Sequence, residues 1–263
     1  MLYNEYLDGK QTLGQLSDKY KVSVRTIQRK LSQVVQCELV ISSNAVVIMA
    51  DASYWGRDFG VIVFKDAYSR RVIWYKFIYR KERVSDYLEG IDCLIMNGYA
   101  IRGIVCDGMS GLIRALSQFN VQYCQFHMVK TVHQKLTKHP KSEAGRELLH
   151  IANLMTRTDK ESFVGIMGQW YERYGKYMNE RSEPDLKGHT HYLHKRLRSA
   201  YFSIIRNMEQ LWTWYDNFEL KIPNTNNGIE SLFTDMKSKL RVHNGLSLKN
   251  REKFISQYLK RKQ

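Results

Sequence analysis

Two aspartates directly follow apolar runs that have the character of buried strands. Asp51 comes after Val46–Ala50, and Asp107 closes the run that begins at Ile101. A short apolar run rich in β-branched residues predicts a strand that is buried on both faces. An aspartate at its end either caps a turn or holds a cation. Because the arrangement occurs twice, a shared cation site is favoured, and oxygen ligands on rigid strands suit Mg²⁺.

Two further carboxylates are candidates for the same site. Glu230 lies in the first turn of a helix that is predicted to follow the Asn/Gly-rich segment 222–228. The spacing Asn227-x-x-Glu230 is also that of a capping box, and from this segment alone capping is favoured over metal binding. Asp66 lies in a hairpin connection, where the aspartate is expected to stabilise the turn.

The pair Cys124-x-x-His127 has the spacing of zinc ligands. A structural zinc ion needs four ligands, and the sequence offers no suitably placed second pair. A buried thiol and a hydrogen-bonded histidine near the active edge are therefore favoured over zinc. The remaining cysteines, Cys37, Cys93 and Cys106, form no C-x-x-C pair, so reduced thiols are expected.

The elements that position these residues follow from hydrophobic periodicity. Three strands are predicted as an antiparallel meander, followed by helix, strand, helix and strand, which describes a mixed sheet with helices on its faces. Residues from about 142 to 218 are predicted to be wholly helical, rich in aromatic and basic side chains, and a single insertion. The predicted elements are strands Val46–Ala50, Gly60–Lys65 and Arg71–Ile78, helix Glu82–Asn97, strand Ile101–Cys106, helix Ser110–Phe119 and strand Val121–Phe126.

The amino-terminal segment Leu2–Gln33 is typical of a helix–turn–helix. Thr12 and Gln15 have the spacing of a capping box, and Ser23 is placed to cap the second helix. The side chains expected to face inward from that second helix are those of Val24, Ile27 and Leu31.

The exposed face of this second helix carries residues suited to DNA recognition. Arg25, Thr26, Arg29 and Lys30 lie on or near it, as they would on a recognition helix. The alternative is an ordinary helical hairpin with solvated lysines.

Composition points to a folded chain with a polyanionic partner. The 263 residues are 43% hydrophobic and include only three prolines. The formal net charge of +15 favours binding to phosphates through counterion release. No apolar run of about 18 residues is present. We therefore expect an intracellular, soluble protein without membrane association.

Taken together, the motifs resemble those of one enzyme family. Met-Ala-Asp51-Ala-Ser-Tyr-Trp-Gly, Cys-Asp107-Gly-Met-Ser-Gly, Cys124-Gln-Phe-His127 and Asn-Asn-Gly-Ile-Glu230 resemble the Mutator-like bacterial insertion-sequence transposases of the DDE class. In that family a ribonuclease-H-like sheet carries two aspartates, a Cys-x-x-His follows the second, and a helical insertion precedes the glutamate. The resemblance spans about residues 45–244, and the short amino terminus departs from the longer DNA-binding region of many relatives.

The resemblance implies an α/β fold, namely a ribonuclease-H-like mixed sheet flanked by helices, with an all-helical insertion and an amino-terminal helix–turn–helix. The corresponding domains are a DNA-binding module (1–36), the first part of the catalytic domain (45–140), the insertion (141–221) and the final catalytic part with the glutamate helix (222–263).

The resemblance also implies the chemistry. Asp51, Asp107 and Glu230 would be the catalytic triad and the ligands of two Mg²⁺ ions, for which Mn²⁺ can substitute. The partners would be double-stranded DNA at element ends and targets, bound by a homodimer or higher oligomer in the bacterial cytoplasm, in association with the nucleoid. The alternatives are a ribonuclease-H-like nuclease that does not join strands and a non-catalytic DNA-binding regulator.

Overall fold

The structure is a computed structural model that describes residues 2–7, 9–32, 45–243 and 245–263. Cys37 and the predicted end of the amino-terminal module at residue 36 lie outside the described residues. The chain divides into two compact units, the first formed by Met1–Ala100 with Asn227–Gln263 and the second by Ile101–Asn226.

The chain is α/β, as the order of predicted elements indicates. Within the described ranges, five strands form one mixed sheet with the strand order β3-β2-β1-β4-β5, and helices flank the sheet. The strands are β1 (Ala45–Trp55), β2 (Phe59–Asp66), β3 (Val72–Ile78), β4 (Ala100–Cys106) and β5 (Val121–Tyr123).

Helices make up most of the remaining described chain. Short 3₁₀ turns at Met155–Arg157 and Phe218–Leu220 accompany them. The α-helices are α1 (Leu2–Leu7), α2 (Leu13–Tyr20), α3 (Val24–Ser32), α4 (Val84–Met96), α5 (Leu112–Ala115), α6 (Gln125–Leu136), α7 (Glu143–Leu154), α8 (Lys160–Met178), α9 (Lys195–Arg206), α10 (Met208–Leu211), α11 (Thr213–Asp216), α12 (Asn227–Arg241) and α13 (Leu248–Lys260).

The first unit is built on the predicted meander, which the structure confirms. β1 pairs antiparallel with β2, and β2 pairs antiparallel with β3. Val46–Ala50 and Val61–Phe64 are buried on both faces, which agrees with their continuous apolar sequence. Helices α12 and α13 pack on this sheet through buried apolar faces that include Ile229, Met236 and Phe254.

The second unit holds a parallel strand pair and a helical core. β4 and β5 pair in parallel, with Cys106 opposite Tyr123. Helices α6 to α9 bury a cluster rich in aromatics, among them Phe163, Trp170 and Trp212. The predicted aromatic-rich helices therefore use their rings chiefly as core.

Three predicted elements of the second unit are wrong in extent. The strand predicted over Val121–Phe126 ends at Tyr123, because Gln125 already begins α6. The helix predicted over Ser110–Phe119 is only the four-residue α5. The segment predicted to be wholly helical is interrupted at residues 179–194, which contain Pro184 and Gly188, two residues that break helices.

Among the described residues, no helix combines the length and the apolar character that crossing a membrane requires.

Candidate metal centre

Asp51 lies within β1, not at its end. The strand continues for four residues beyond Asp51, which lies opposite Val63 of β2 in the antiparallel register. The prediction that the strand ends at this aspartate is therefore wrong, because pairing with β2 extends the strand as far as Trp55. The carboxylate is half-buried, and its Oδ1 accepts a hydrogen bond of 2.8 Å from the Ala52 amide.

Glu230 lies in the first turn of α12 and is also half-buried. The helix begins at Asn227, so Glu230 is its fourth residue. A capping box requires the acidic residue at the third helical position, after a capping residue outside the helix. Counted from this helix start, Glu230 lies one position beyond the one that the acidic residue of a capping box occupies.

The fold brings Asp51 and Glu230 together although they are 179 residues apart in the sequence. A carboxylate oxygen of one and a carboxylate oxygen of the other lie within 4.8 Å. The start of α12 is held close to the sheet by Gly228, where a Cβ would lie only 3.1 Å from Cε of Met49. In addition, Nζ of Lys65 donates a 2.8 Å hydrogen bond to the Gly228 carbonyl.

This arrangement suits a small divalent cation. Mg²⁺ binds oxygen at about 2.0–2.1 Å, so two ligands of one octahedral ion are separated by roughly 3 to 4 Å. The separation of the two carboxylates is close to this range, and a small side-chain rotation can complete it. The two carboxylate oxygens are hard donors, which Mg²⁺ and Mn²⁺ prefer.

Asp107 belongs to the second unit, where it directly follows β4. It is half-buried, and its Oδ1 accepts a 3.1 Å hydrogen bond from the Met109 amide. Gly108 is required here by a close approach, because a Cβ at this position would lie 1.8 Å from the hydroxyl oxygen of Tyr123. Burial raises the pKa of Tyr123, so this hydroxyl stays neutral and can donate a hydrogen bond.

Cys124 and His127 flank the start of α6 in the same unit. Cys124 is buried and free, as predicted, and its sulfur accepts a 3.2 Å hydrogen bond from the Asn226 amide. His127 is half-buried, and its ring lies 6.1 Å from that of Phe126 in an edge-on arrangement. Cys93 and Cys106 are also free thiols.

Asp66 stabilises the hairpin connection, which confirms its predicted role. Its buried carboxylate accepts hydrogen bonds from the backbone amides of Val47, Tyr68 and Ser69, at 2.8 to 3.3 Å. These bonds fix the turn between β2 and β3.

Helices α2 and α3 have the predicted caps, and α3 carries the predicted DNA-binding residues. Thr12 and Gln15 form the capping box of α2, and the Ser23 hydroxyl accepts a hydrogen bond from the Thr26 amide at the start of α3. Ile27 and Leu31 are buried, whereas Val24 is 40% exposed. The inward orientation predicted for Val24 is therefore wrong, because as the first helical residue it lies on the open side of the turn.

The cationic side chains of α3 line a groove that sequence reasoning missed. Arg25, Thr26 and Arg29 face a cavity of about 550 Å³, and Asn250 and Lys253 of α13 line it as well. The side of the groove that α13 forms could have been expected from the sequence of that helix, which is basic and amphipathic and follows a capping serine. Lys30, the fourth predicted contact residue, is exposed on α3 and is not among the residues that line this groove.

The second unit carries a separate basic surface. Segments 108–142 and 186–208 contain ten lysines and arginines and no aspartate or glutamate. They meet where α6 packs on α9, with a 2.6 Å hydrogen bond from Lys135 Nζ to Ser199 Oγ. A groove of about 460 Å³ in this region is lined by Lys135, Lys141, Lys195 and Arg196, among others.

Comparison of the chain with protein-family models gave no match, and a search of curated proteins found no similar sequence. The resemblance to a transposase family therefore rests on the sequence motifs alone.

Proposed function

We propose that the chain is a DDE-class transposase with a ribonuclease-H-like catalytic fold, which cleaves DNA strands and transfers them with the help of Mg²⁺. The observation that carries this proposal is the proximity of Asp51 and Glu230, whose carboxylates lie within 4.8 Å. Both residues lie on regular elements, a strand and a helix, so their positions do not depend on a loop.

The short distance between the Asp51 and Glu230 carboxylates supports a cation-binding role. Two half-buried carboxylates at this distance repel each other, and a bound cation removes that cost. In the proposal Asp107, which follows a strand as the family motif requires, completes the ligand set with Asp51 and Glu230. When bound, two Mg²⁺ ions would activate a water or a 3′-hydroxyl and stabilise the leaving oxygen. The role of the carboxylates is to hold the ions and leave positions open for phosphate oxygens.

The charge distribution supports DNA as the substrate. The net charge is +15, and basic grooves occur in each unit. In the proposal Arg25, Arg29 and Lys30 contact phosphates or bases of double-stranded DNA. The hydroxyl of Thr26 lies 2.9 Å from that of Ser23, so its contribution would be to fix the start of α3. A homodimer or higher oligomer on paired element ends, in the bacterial cytoplasm at the nucleoid, completes the proposal.

The test is cleavage and joining by the purified full chain. Labelled duplexes carrying the DNA that flanks the coding sequence on each side are incubated with the protein and Mg²⁺, together with a supercoiled plasmid as target. Mapping of strand ends at nucleotide resolution then reports cleavage, and recovery of label in the plasmid reports strand transfer. The proposal expects both products, and it expects EDTA to abolish them.

Three isosteric variants serve as controls for the catalytic assignment. Asp51→Asn, Asp107→Asn and Glu230→Gln each replace a charged metal ligand by a neutral amide of the same shape. Each should fold and bind DNA but lose cleavage. Mg²⁺-dependent cleavage without joined product would favour the nuclease, and DNA binding without cleavage would favour the regulator. Cleavage that survives in all three variants would refute the metal centre.

The DNA-binding assignment has its own test. The double variant Arg25→Ala with Arg29→Ala should weaken duplex binding. It should also reduce the magnitude of the slope of log affinity against log salt concentration by about 2, because each lost phosphate contact reduces that slope by roughly 0.9. A matched control is Arg173→Ala, an exposed arginine of the second unit that is ion-paired with Glu147 at 3.2 Å. Equal slopes for wild type and double variant would refute the assignment.

A further inference from the structure

Strand β1 and helix α12 lie side by side between the carboxylate pair and a pocket beside Trp55. At one end a carboxylate oxygen of Asp51 and one of Glu230 lie within 4.8 Å. At the other end Nζ of Lys237, on α12, lies 5.9 Å from the ring centre of Trp55, on β1. Strand and helix therefore run side by side in the same direction. Four strand residues span about 13 Å and seven helical residues about 10.5 Å, so roughly 10 to 13 Å separates the two ends.

A cationic pocket of about 380 Å³ lies at the end marked by Trp55 and Lys237. Trp55, Lys237, Arg241 and Arg251 line it, and no aspartate or glutamate is among its lining residues. Among the residues that the structure describes, none of the three cations has a carboxylate within ion-pair distance. Their positive charge is therefore not neutralised within the described chain.

The indole of Trp55 is held in place from behind. Its ring lies 5.6 Å from that of Phe59, which is buried and in turn stacks on Phe77 at 5.9 Å and 15°. Trp55 itself is only half-buried and faces the pocket. A flat aromatic surface that is already fixed loses little conformational entropy when a second ring stacks on it.

We propose that this pocket holds one unpaired nucleotide of the DNA strand whose phosphate lies at the carboxylate pair. The base would stack on Trp55, and its flanking phosphates would lie against Lys237, Arg241 and Arg251, which is how proteins hold single-stranded DNA. The inference rests on the proposed function, because it places the substrate strand across the surface from the carboxylate pair to the pocket. The 10 to 13 Å between the ends corresponds to about three to four nucleotide steps of a stacked strand.

The pocket therefore selects DNA ends with an unpaired extension. Binding of the full chain is measured in EDTA with a labelled duplex that is either blunt or carries a five-nucleotide single-stranded extension. Wild type should prefer the extended duplex. Trp55→Ala should lose that preference by roughly five- to a hundredfold, the range for stacking of one base, while Trp55→Phe should keep most of it. Arg241→Gln and Arg251→Gln should each lower the salt slope for the extended duplex by about 0.7.

A second readout locates the stacked base. 2-Aminopurine placed in turn at each position of the extension should be quenched on binding at one position, and that quenching should vanish in Trp55→Ala. Phe218→Ala, which removes an aromatic that is 78% exposed in the second unit, is the matched control and should change nothing. Urea unfolding confirms that each variant is folded.

The proposal is overturned if Trp55→Ala leaves the preference intact, or if a folded Trp55→Ala loses blunt and extended DNA equally. Because binding is measured without metal, this outcome is separate from that of the cleavage test. A chain that prefers extended DNA through Trp55 but never cleaves it would refute the proposed function and leave the pocket assigned.

Discussion

The proximity of Asp51 and Glu230 makes an unusual prediction, namely that removing one charge stabilises the protein when metal is absent. Two charges within 4.8 Å of each other repel by at least about 1 kcal/mol in bulk water and about 3 kcal/mol at the effective dielectric constant typical of protein surfaces. Glu230→Gln removes this repulsion. It also removes a favourable interaction between a first-turn carboxylate and the helix dipole, which contributes about 0.3–1 kcal/mol.

The repulsion is the larger of the two effects. Glutamate and glutamine have similar helix propensities, so the exchange changes little in the intrinsic helix preference of this segment. We therefore expect Glu230→Gln to be more stable than wild type by about 0.5–2 kcal/mol in EDTA. Glu143→Gln is a matched control, because Glu143 is an exposed first-turn glutamate of α7 and should lose only the dipole interaction.

The assay is urea unfolding of the full chain, first in EDTA and then with increasing Mg²⁺ or Mn²⁺. Metal should stabilise wild type by about 1.4 kcal/mol for every tenfold excess over its dissociation constant, and the gain should be lost or strongly reduced in Glu230→Gln. The order of stabilities should therefore reverse at high metal concentration. If Glu230→Gln is destabilised in EDTA as Glu143→Gln is, or gains as much from metal as wild type, the reasoning is wrong.

Two further predictions concern the frame around the site. Arg80 donates hydrogen bonds of 2.7 and 2.8 Å to the buried Asp86 carboxylate and holds the pKa of that carboxyl well below its usual range. The ionised Asp86 therefore stabilises the fold above pH ~4, and this stabilisation is lost as the pH falls further. Asp86→Asn should cost about 2–3 kcal/mol at pH 7 in urea unfolding, and the cost should shrink towards pH 2. Gly108→Ala should destabilise the second unit by about 1–3 kcal/mol through its clash with Tyr123, and a calorimetric profile like that of wild type would contradict this.

Local sequence predicted what depends on local physics. The apolar runs of β1 and β2, the caps at Thr12 and Ser23, and the turn role of Asp66 were all readable, because each involves residues close together in the chain. Those features placed the candidate carboxylates in the correct class of element.

The rest required tertiary information. The sequence after Asp51 is not an apolar run, and only its pairing with β2 extends the strand to Trp55. The exact start of α12 and the proximity of Glu230 to Asp51, 179 residues away in the sequence, both depend on tertiary packing. The pocket beside Trp55 combines residues of β1, α12 and α13, which no spacing rule connects.

The division of the first unit between two stretches of sequence has a consequence for biosynthesis. Its carboxyl-terminal stretch, Asn227–Gln263, follows the 126 residues of the second unit. Closing a flexible loop of that length costs about 4 kcal/mol of chain entropy. If the second unit folds first, the effective loop is shorter and this entropic cost is lower. A nascent chain thus exposes the β1–β3 sheet on the ribosome until α12 emerges, and Glu230 reaches Asp51 only then. Under the proposed function, DNA cleavage therefore becomes possible only after α12 has emerged and packed on β1.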